Sequence, residues 1–142
     1  MVAVAAAAAA ESPYSGMVTV KSRHGYAETL TRLQQAIAAN HMGLVAQASA
    51  SRGAAARGVK IPGNAVLMVF RNDYAVRMLA ASVPAGIEAP LRIYLTETAD
   101  GAADITYRKP TAVFAAYGVP ALDAMARELD PVFDKIVAEA AR

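Results

Sequence analysis

The sequence predicts a two-layer α+β domain: an antiparallel sheet of about five strands with helices on one face. Three features predict it. Residues 91–107 alternate apolar and polar side chains about a turn, as a β-hairpin does. Residues 26–39 and 119–142 carry apolar residues at helical spacing, so each presents one stripe for burial. Between them, Val66-Leu67-Met68-Val69-Phe70 is a continuously apolar stretch of strand length, with both faces fit for burial.

The first strand is expected over Met17 to Lys21, by β-branching and alternation, with a turn over Ser22-Arg23-His24-Gly25. A helix follows from Tyr26 to Ala39. Its stripe is Tyr26, Leu30, Leu33 and Ile37, and Asn40 and Gly43 mark its end. Leu44 to Ala50 reads as a weak second strand. The glycines and Pro62 of residues 51–63 make a loop or a short helical turn. After the apolar strand, Asn72 can cap a short helix over 73–81 with Val76, Leu79 and Ala80 facing inward. Pro84-Ala85-Gly86 ends it.

The hairpin register follows from its letters. A three-residue loop, Ala99-Asp100-Gly101, sets Leu95 opposite Ile105 and Ile93 opposite Tyr107, with Gly101 at the position that needs φ > 0. A two-residue loop would pair Ile93 with Arg108 and mix the faces. The same register sets Arg92 opposite Arg108. Pro110 closes the second hairpin strand, because proline cannot donate to a ladder. The last helix starts near Pro120 and buries Leu122, Met125, Leu129, Phe133, Ile136 and Val137. Pro131 should kink it or restart it, with Asp130 as the new cap.

Composition narrows the function classes. The chain has 142 residues, enough for a single domain with a sizeable core. Its net charge of +2 is small, and its 14 Lys and Arg form no tract, so nucleic acid is not an expected partner. No apolar run reaches the length of a membrane span. The absence of cysteine excludes disulfides, thiol catalysis and cysteine-ligated metals. Residues 1–15 read as an alanine-rich leader or signal-peptide remnant, with Ala8 and Ala10 as the small residues before a cut ahead of Glu11. Residues 16–142 then form a single α+β domain. The leader points to a periplasmic or secreted protein; without that role the chain would be cytoplasmic.

Residues 17–118 resemble the bacterial domain of unknown function 302 family. The matching features are Gly16-Met17-Val18-Thr19-Val20 before an amphipathic helix, and Gly58-Val59-Lys60-Ile61-Pro62 before a strand ending in Phe70. Further along are Ala89-Pro90-Leu91-Arg92-Ile93 at the hairpin start, Glu97 before Asp100-Gly101, and Tyr107 two residues ahead of Lys109-Pro110. The resemblance implies a β-α-β-β-β-β-α core like that of TATA-binding-protein-type folds, often secreted, and no known activity. The chain departs from the family at its polar positions. Ser49, Ala50 and Ser51 stand where the family usually has Asp-His. Phe70-Arg71-Asn72-Asp73 replaces F-G-N-P, and Tyr107-Arg108-Lys109-Pro110 replaces Y-N-D-P.

No catalytic or metal constellation emerges, and no cofactor is expected. His24 and His41 flank the first helix, about 25 Å apart at helical rise, too far to share one metal within a subunit. Glu97, Asp100 and Asp104 surround a hairpin tip, where carboxylates are normally solvated. The cations are more informative. Like charges directly opposite on a hairpin repel unless something neutralises them. Arg92 and Arg108, with Arg71 and Lys109 nearby, therefore form a candidate anion-binding site for a small anionic ligand.

The function read from the sequence is a non-catalytic homo-oligomeric binding module, with an anion-binding enzyme on the 51–64 loop and hairpin arginines as the alternative. The self-partner follows from Val66 to Phe70: helices cover one face of a two-layer sheet, so the other face is open apolar surface that a homodimer would cover. Either Leu67 and Val69 or Met68 and Phe70 would lie on it, extended by Tyr94 and Met78, unless residues 51–63 fold across it.

Overall fold

A computed structural model describes residues 12–142. Of the proposed leader, residues 1–15, the part up to residue 11 lies outside the described residues. The chain runs β1 (Met17–Gly25), α1 (Tyr26–Ala39), β2 (Gly43–Ala48), α2 (Ala50–Ala56), β3 (Asn64–Phe70) and α3 (Asn72–Ala81). A 3-10 segment (Val83–Glu88) leads to β4 (Leu91–Glu97), β5 (Ala102–Arg108), α4 (Pro110–Phe114), a 3-10 turn (Ala115–Tyr117) and α5 (Pro120–Ala141). The strands make one antiparallel sheet in the order β1-β5-β4-β3-β2, and the helices pack on one side of it.

The hairpin has the register its alternation demands: Ile93 faces Tyr107 and Leu95 faces Ile105. Thr98 N–H bonds the Ala102 carbonyl, so the loop is Ala99-Asp100-Gly101, and Gly101 takes φ +80°. One face of each strand is therefore buried. Ala65, Leu67 and Val69 of β3, Leu91, Ile93 and Leu95 of β4, and Ala103, Ile105 and Tyr107 of β5 form the floor of the core. The α5 stripe of Leu122, Met125, Leu129, Phe133, Ile136 and Val137 is buried above it, beside Leu33 and Ile37 of α1. Leu67 and Val69 thus point at the helices, and only the other side of β3 is open.

Several elements differ from their expected form. Ser22 to Gly25 is not a turn but the continuation of β1, which bulges between Lys21 and Gly25 and then rejoins β5 at Ala102. This carries Ser22 into the core, where its hydroxyl meets that of Thr29 at 2.7 Å. β2 is shorter than expected because Ser49 leaves the strand to cap α2, accepting from Arg52 N–H. In α3 the buried residues are Tyr74 and Met78, while Val76 is 61% and Leu79 45% exposed. The helix turns the opposite side to the core from the one expected, because Tyr74 and Phe70, with ring centres 6.4 Å apart, pack together and set the helix on that anchor. The N-cap is Arg71, with Asn72 already inside the helix.

Pro110 ends β5 and also opens α4, as the residue at a first helical turn that needs no N–H partner. α5 is unbroken through Pro131. Asp130 caps no new helix. Its carboxylate accepts from Thr111 N–H at 2.9 Å and the Thr111 hydroxyl at 2.7 Å, tying α5 to α4. No helix among the described residues is long and apolar enough to cross a membrane.

Candidate functional site

The uncovered face of the sheet can be read in rows across the strands. One row is Thr19, Thr106, Tyr94, Val66, Ala48. The next toward the hairpin tip is Lys21, Asp104, Thr96, Asn64. In the row on the other side, Met17 pairs with Arg108, while Arg92 pairs with Met68 and Met68 with Ala46. The face is divided. Its β1–β5 half is polar, with the Thr19 and Thr106 hydroxyls bonded at 2.9 Å. Its β2–β3 half is apolar: Ala46, Ala48, Val66, Met68 and the 39%-exposed ring of Tyr94, whose hydroxyl accepts from Asn64 Nδ2. Phe70 and Met78 do not extend this surface. Phe70 is buried against Tyr74, and Met78 lies under α3 on the helix side.

The four candidate cations occupy different settings. The β4–β5 ladder ends at Ile93–Tyr107, one step short of the expected Arg92–Arg108 pair, which is not part of the ladder. Arg108 Nε donates to the Ser15 carbonyl at 3.0 Å, and its guanidinium lies 5.5 Å from the Tyr14 ring centre. Arg92 is exposed and has no ion-pair partner among the described residues. Arg71 forks onto Asp73, at 2.6 and 3.0 Å, and holds that carboxyl below the usual carboxylate range. Lys109 turns toward α5 and meets Asp134 at 3.6 Å. Asp134 also accepts from the Tyr107 hydroxyl, and burial followed by this bond pushes the phenol upward. Arg71 and Lys109 are each engaged by a carboxylate away from the other two, Asp73 and Asp134.

Around the hairpin tip the carboxylates serve local structure. Glu97 accepts from Gly63 N–H at 2.7 Å. This holds the end of the 51–63 segment beside the hairpin, where Gly63 passes so close to Tyr26 that a Cβ would sit 2.6 Å from its ring. Asp100 takes the Thr98 hydroxyl, Lys21 at 3.2 Å and Ala102 N–H, and is thereby lowered to about 2. A depressed folded-state pKa gives stability that is present above the ordinary value of 3.8 and lost as pH falls through 2. A carboxyl-carbon NMR titration should place the Asp100 midpoint near 2, and Thr98→Val should raise it toward 3.8. An unchanged midpoint would mean the Thr98 hydroxyl does not hold the charge.

Two concavities lie away from the hairpin arginines, the second taking Arg52 and Gly53 from the 51–64 segment that the sequence offered as an alternative site. An apolar cleft of about 280 Å³ lies between Val45, Phe70, Ala75, Met78 and Pro90, with Arg71 and Asn72 at its rim. A polar concavity of about 610 Å³ is lined by Gln34, Gln47, Ser49, Arg52 and Gly53. A further sequence signal is Ser49 ahead of an alanine-rich segment, the pattern of a helix cap.

Comparison with known proteins places this architecture. Residues 18–140 match the family described as Domain of unknown function DUF302. The chain belongs to this family. A crystal structure of an uncharacterized conserved DUF302 protein from Bacillus stearothermophilus superposes with a TM-score of 0.79 at 22% identity, covering 90% of this chain and 99% of that one. No curated protein matches.

Within this DUF302 fold, the polar positions at which the chain departs from the family pattern fall at two ends of the sheet. Phe70 to Asp73 joins β3 to α3, and Tyr107 to Pro110 joins β5 to α4, both at the end where Gly43 pairs with Phe70. Ser49 and Ser51 lie at the other end of β3, where their hydroxyls donate to the Asn64 carbonyl at 2.8 and 3.2 Å. A strand as long as β3 separates the two groups by roughly 20 Å, so they do not assemble into one site.

Proposed function

We propose that this DUF302 protein is a non-catalytic binding module that forms a homodimer through the open face of its sheet. The observation that supports this is the apolar half of that face, Ala46, Ala48, Val66, Met68 and Tyr94, over which no helix of the described residues packs. A second copy related by a two-fold axis covers such a surface with itself and needs no other partner. Sedimentation velocity at micromolar concentration should give a species near twice 14.8 kDa. Met68→Lys should shift it to the monomer while the circular dichroism stays unchanged, because a half-buried open-face residue can be charged without opening the core. A wild-type species at the monomer mass overturns the reading.

The small anionic ligand of the module is assigned to Arg92 and Arg108. Two guanidinium groups in adjacent positions, one without a charged partner, repel until an anion sits between them. Phosphate or sulfate should then raise the melting temperature beyond chloride at equal ionic strength, by mass action on the native state. Arg108→Ala should remove that excess, and an equal gain in both proteins would leave the pair as solvated cations. The alanine-rich start supports export to the periplasm or medium. The intact mass of the protein from its own host tests this, since a cut ahead of Glu11 removes residues 1–10.

A further inference from the structure

The polar concavity beside α2 is separate from the open face and is built from three elements. α1 contributes Gln34, β2 contributes Gln47, and the start of α2 contributes Arg52 and Gly53, with Ser49 at the corner. Its wall is held in place. Ser49 caps the helix through Arg52 N–H, and Ser51 both accepts from Asn64 N–H at 3.0 Å and donates to the Asn64 carbonyl, so α2 is stapled to β3. The two glutamines meet through one bond, Gln34 Nε2 donating to Gln47 Oε1 at 2.9 Å. That leaves the Gln34 carbonyl and the Gln47 amide nitrogen without a partner among the described residues, an acceptor and a donor side by side. Unlike Arg71 and Arg77, whose forks are filled by Asp73 and Glu128, Arg52 has no ion-pair partner among the described residues. No carboxylate among the described residues lines the concavity. Its charge is therefore of one sign, and its neutral groups are amides and a hydroxyl.

We propose that this concavity binds a small organic oxyanion, with Arg52 holding the carboxylate or phosphate and the Gln34–Gln47 pair hydrogen-bonding the body of the ligand. A guanidinium supplies charge and a planar fork for an oxyanion. The amide pair adds selectivity, because a ligand without donors and acceptors would leave those groups unpaired.

The test uses the whole protein, nitrogen-15 amide shifts and calorimetry, with inorganic phosphate, citrate and glucose 6-phosphate as probes at constant ionic strength. Citrate or glucose 6-phosphate should produce saturating shifts at Gln47, Ser49, Arg52 and Gly53 and bind more tightly than inorganic phosphate. Which of the two wins tells a carboxylate site from a phosphate site. Arg52→Gln should weaken binding by about tenfold or more, the loss of one charge-assisted contact, with the melting temperature unchanged. Gln47→Ala should erase the preference for the organic probes over phosphate. The proposal is overturned if none of the three probes saturates these resonances, or if Arg52→Gln binds as wild type does. Binding lost in Arg108→Ala but kept in Arg52→Gln also overturns it, and leaves the hairpin arginines as the anion site.

Discussion

Leu95→Ala should lower the stability of this protein by about 3 kcal/mol and its melting temperature by about 10 °C. Leu95 is fully buried at the centre of β4, with Ala65 of β3 on one side and Ile105 of β5 on the other, both also fully buried. Ladders on both edges of the strand fix its backbone, so the walls cannot collapse into the space the side chain leaves. The cost then includes the cavity as well as the lost transfer of methyl groups out of water. Leu79→Ala on the outer side of α3, where the side chain is 45% exposed, should cost well under about 1 kcal/mol. Urea denaturation of both variants checks this. A Leu95 variant no worse than the Leu79 variant would mean that the hairpin does not bury the face assigned to it.

Thr29→Val should cost about 2 kcal/mol although it barely changes the shape of the side chain. Thr29 has no exposed surface. Its hydroxyl donates to the Gly25 carbonyl at 2.8 Å and meets the Ser22 hydroxyl at 2.7 Å. Ser22, itself 4% exposed, accepts from His24 N–H at 3.1 Å, so the two hydroxyls close the bulge that carries β1 into α1. Valine removes both bonds and leaves the buried Ser22 hydroxyl without the oxygen it meets. Thr29→Ser keeps the hydroxyl and should recover most of the loss in thermal denaturation. If serine is as harmful as valine, packing of the methyl group and not the hydrogen bonds stabilises this corner.

Period-two alternation and one glycine with positive φ were enough to place the hairpin, because a shift of one residue would move its whole apolar set to the wrong face. The stripe of the last helix was equally legible, since it recurs over about four turns, but its continuity was not: Pro131 was expected to kink or restart it, and the helix runs through because a proline removes only one hydrogen bond. The α3 segment was not. It carries apolar residues on opposite sides, Tyr74 and Met78 against Val76 and Leu79, and periodicity alone does not say which pair finds the core. Packing of Tyr74 on Phe70, a contact made only when strand and helix fold together, chose between them. Ser22 to Gly25 has turn composition, yet its extension across from Ala102 depends on a partner about 80 residues away.

The candidate site divides in the same way. Alternation by itself set the hairpin register that led to the expected Arg92–Arg108 pair, and it marked β3 as a strand apolar on both faces. Which face of β3 stays open was decided by where α1 and α5 pack, because either alternate set of apolar residues can serve as a core face. The same holds for the cations. Lys109 meets Asp134, Arg77 meets Glu128 and Arg108 meets the Ser15 carbonyl across separations that no local pattern encodes. Arg52 lay on the 51–64 segment that the sequence offered as an alternative site, but the Gln34–Gln47 pair was invisible: neutral amides leave no mark on charge patterning, and only the folding of α1 against β2 and of α2 against β3 sets them around one concavity. The sequence by itself determined the alternation, the helical stripes and the turn chemistry, which are local. The tertiary structure decided which polar groups remain without partners, because that depends on long-range pairing.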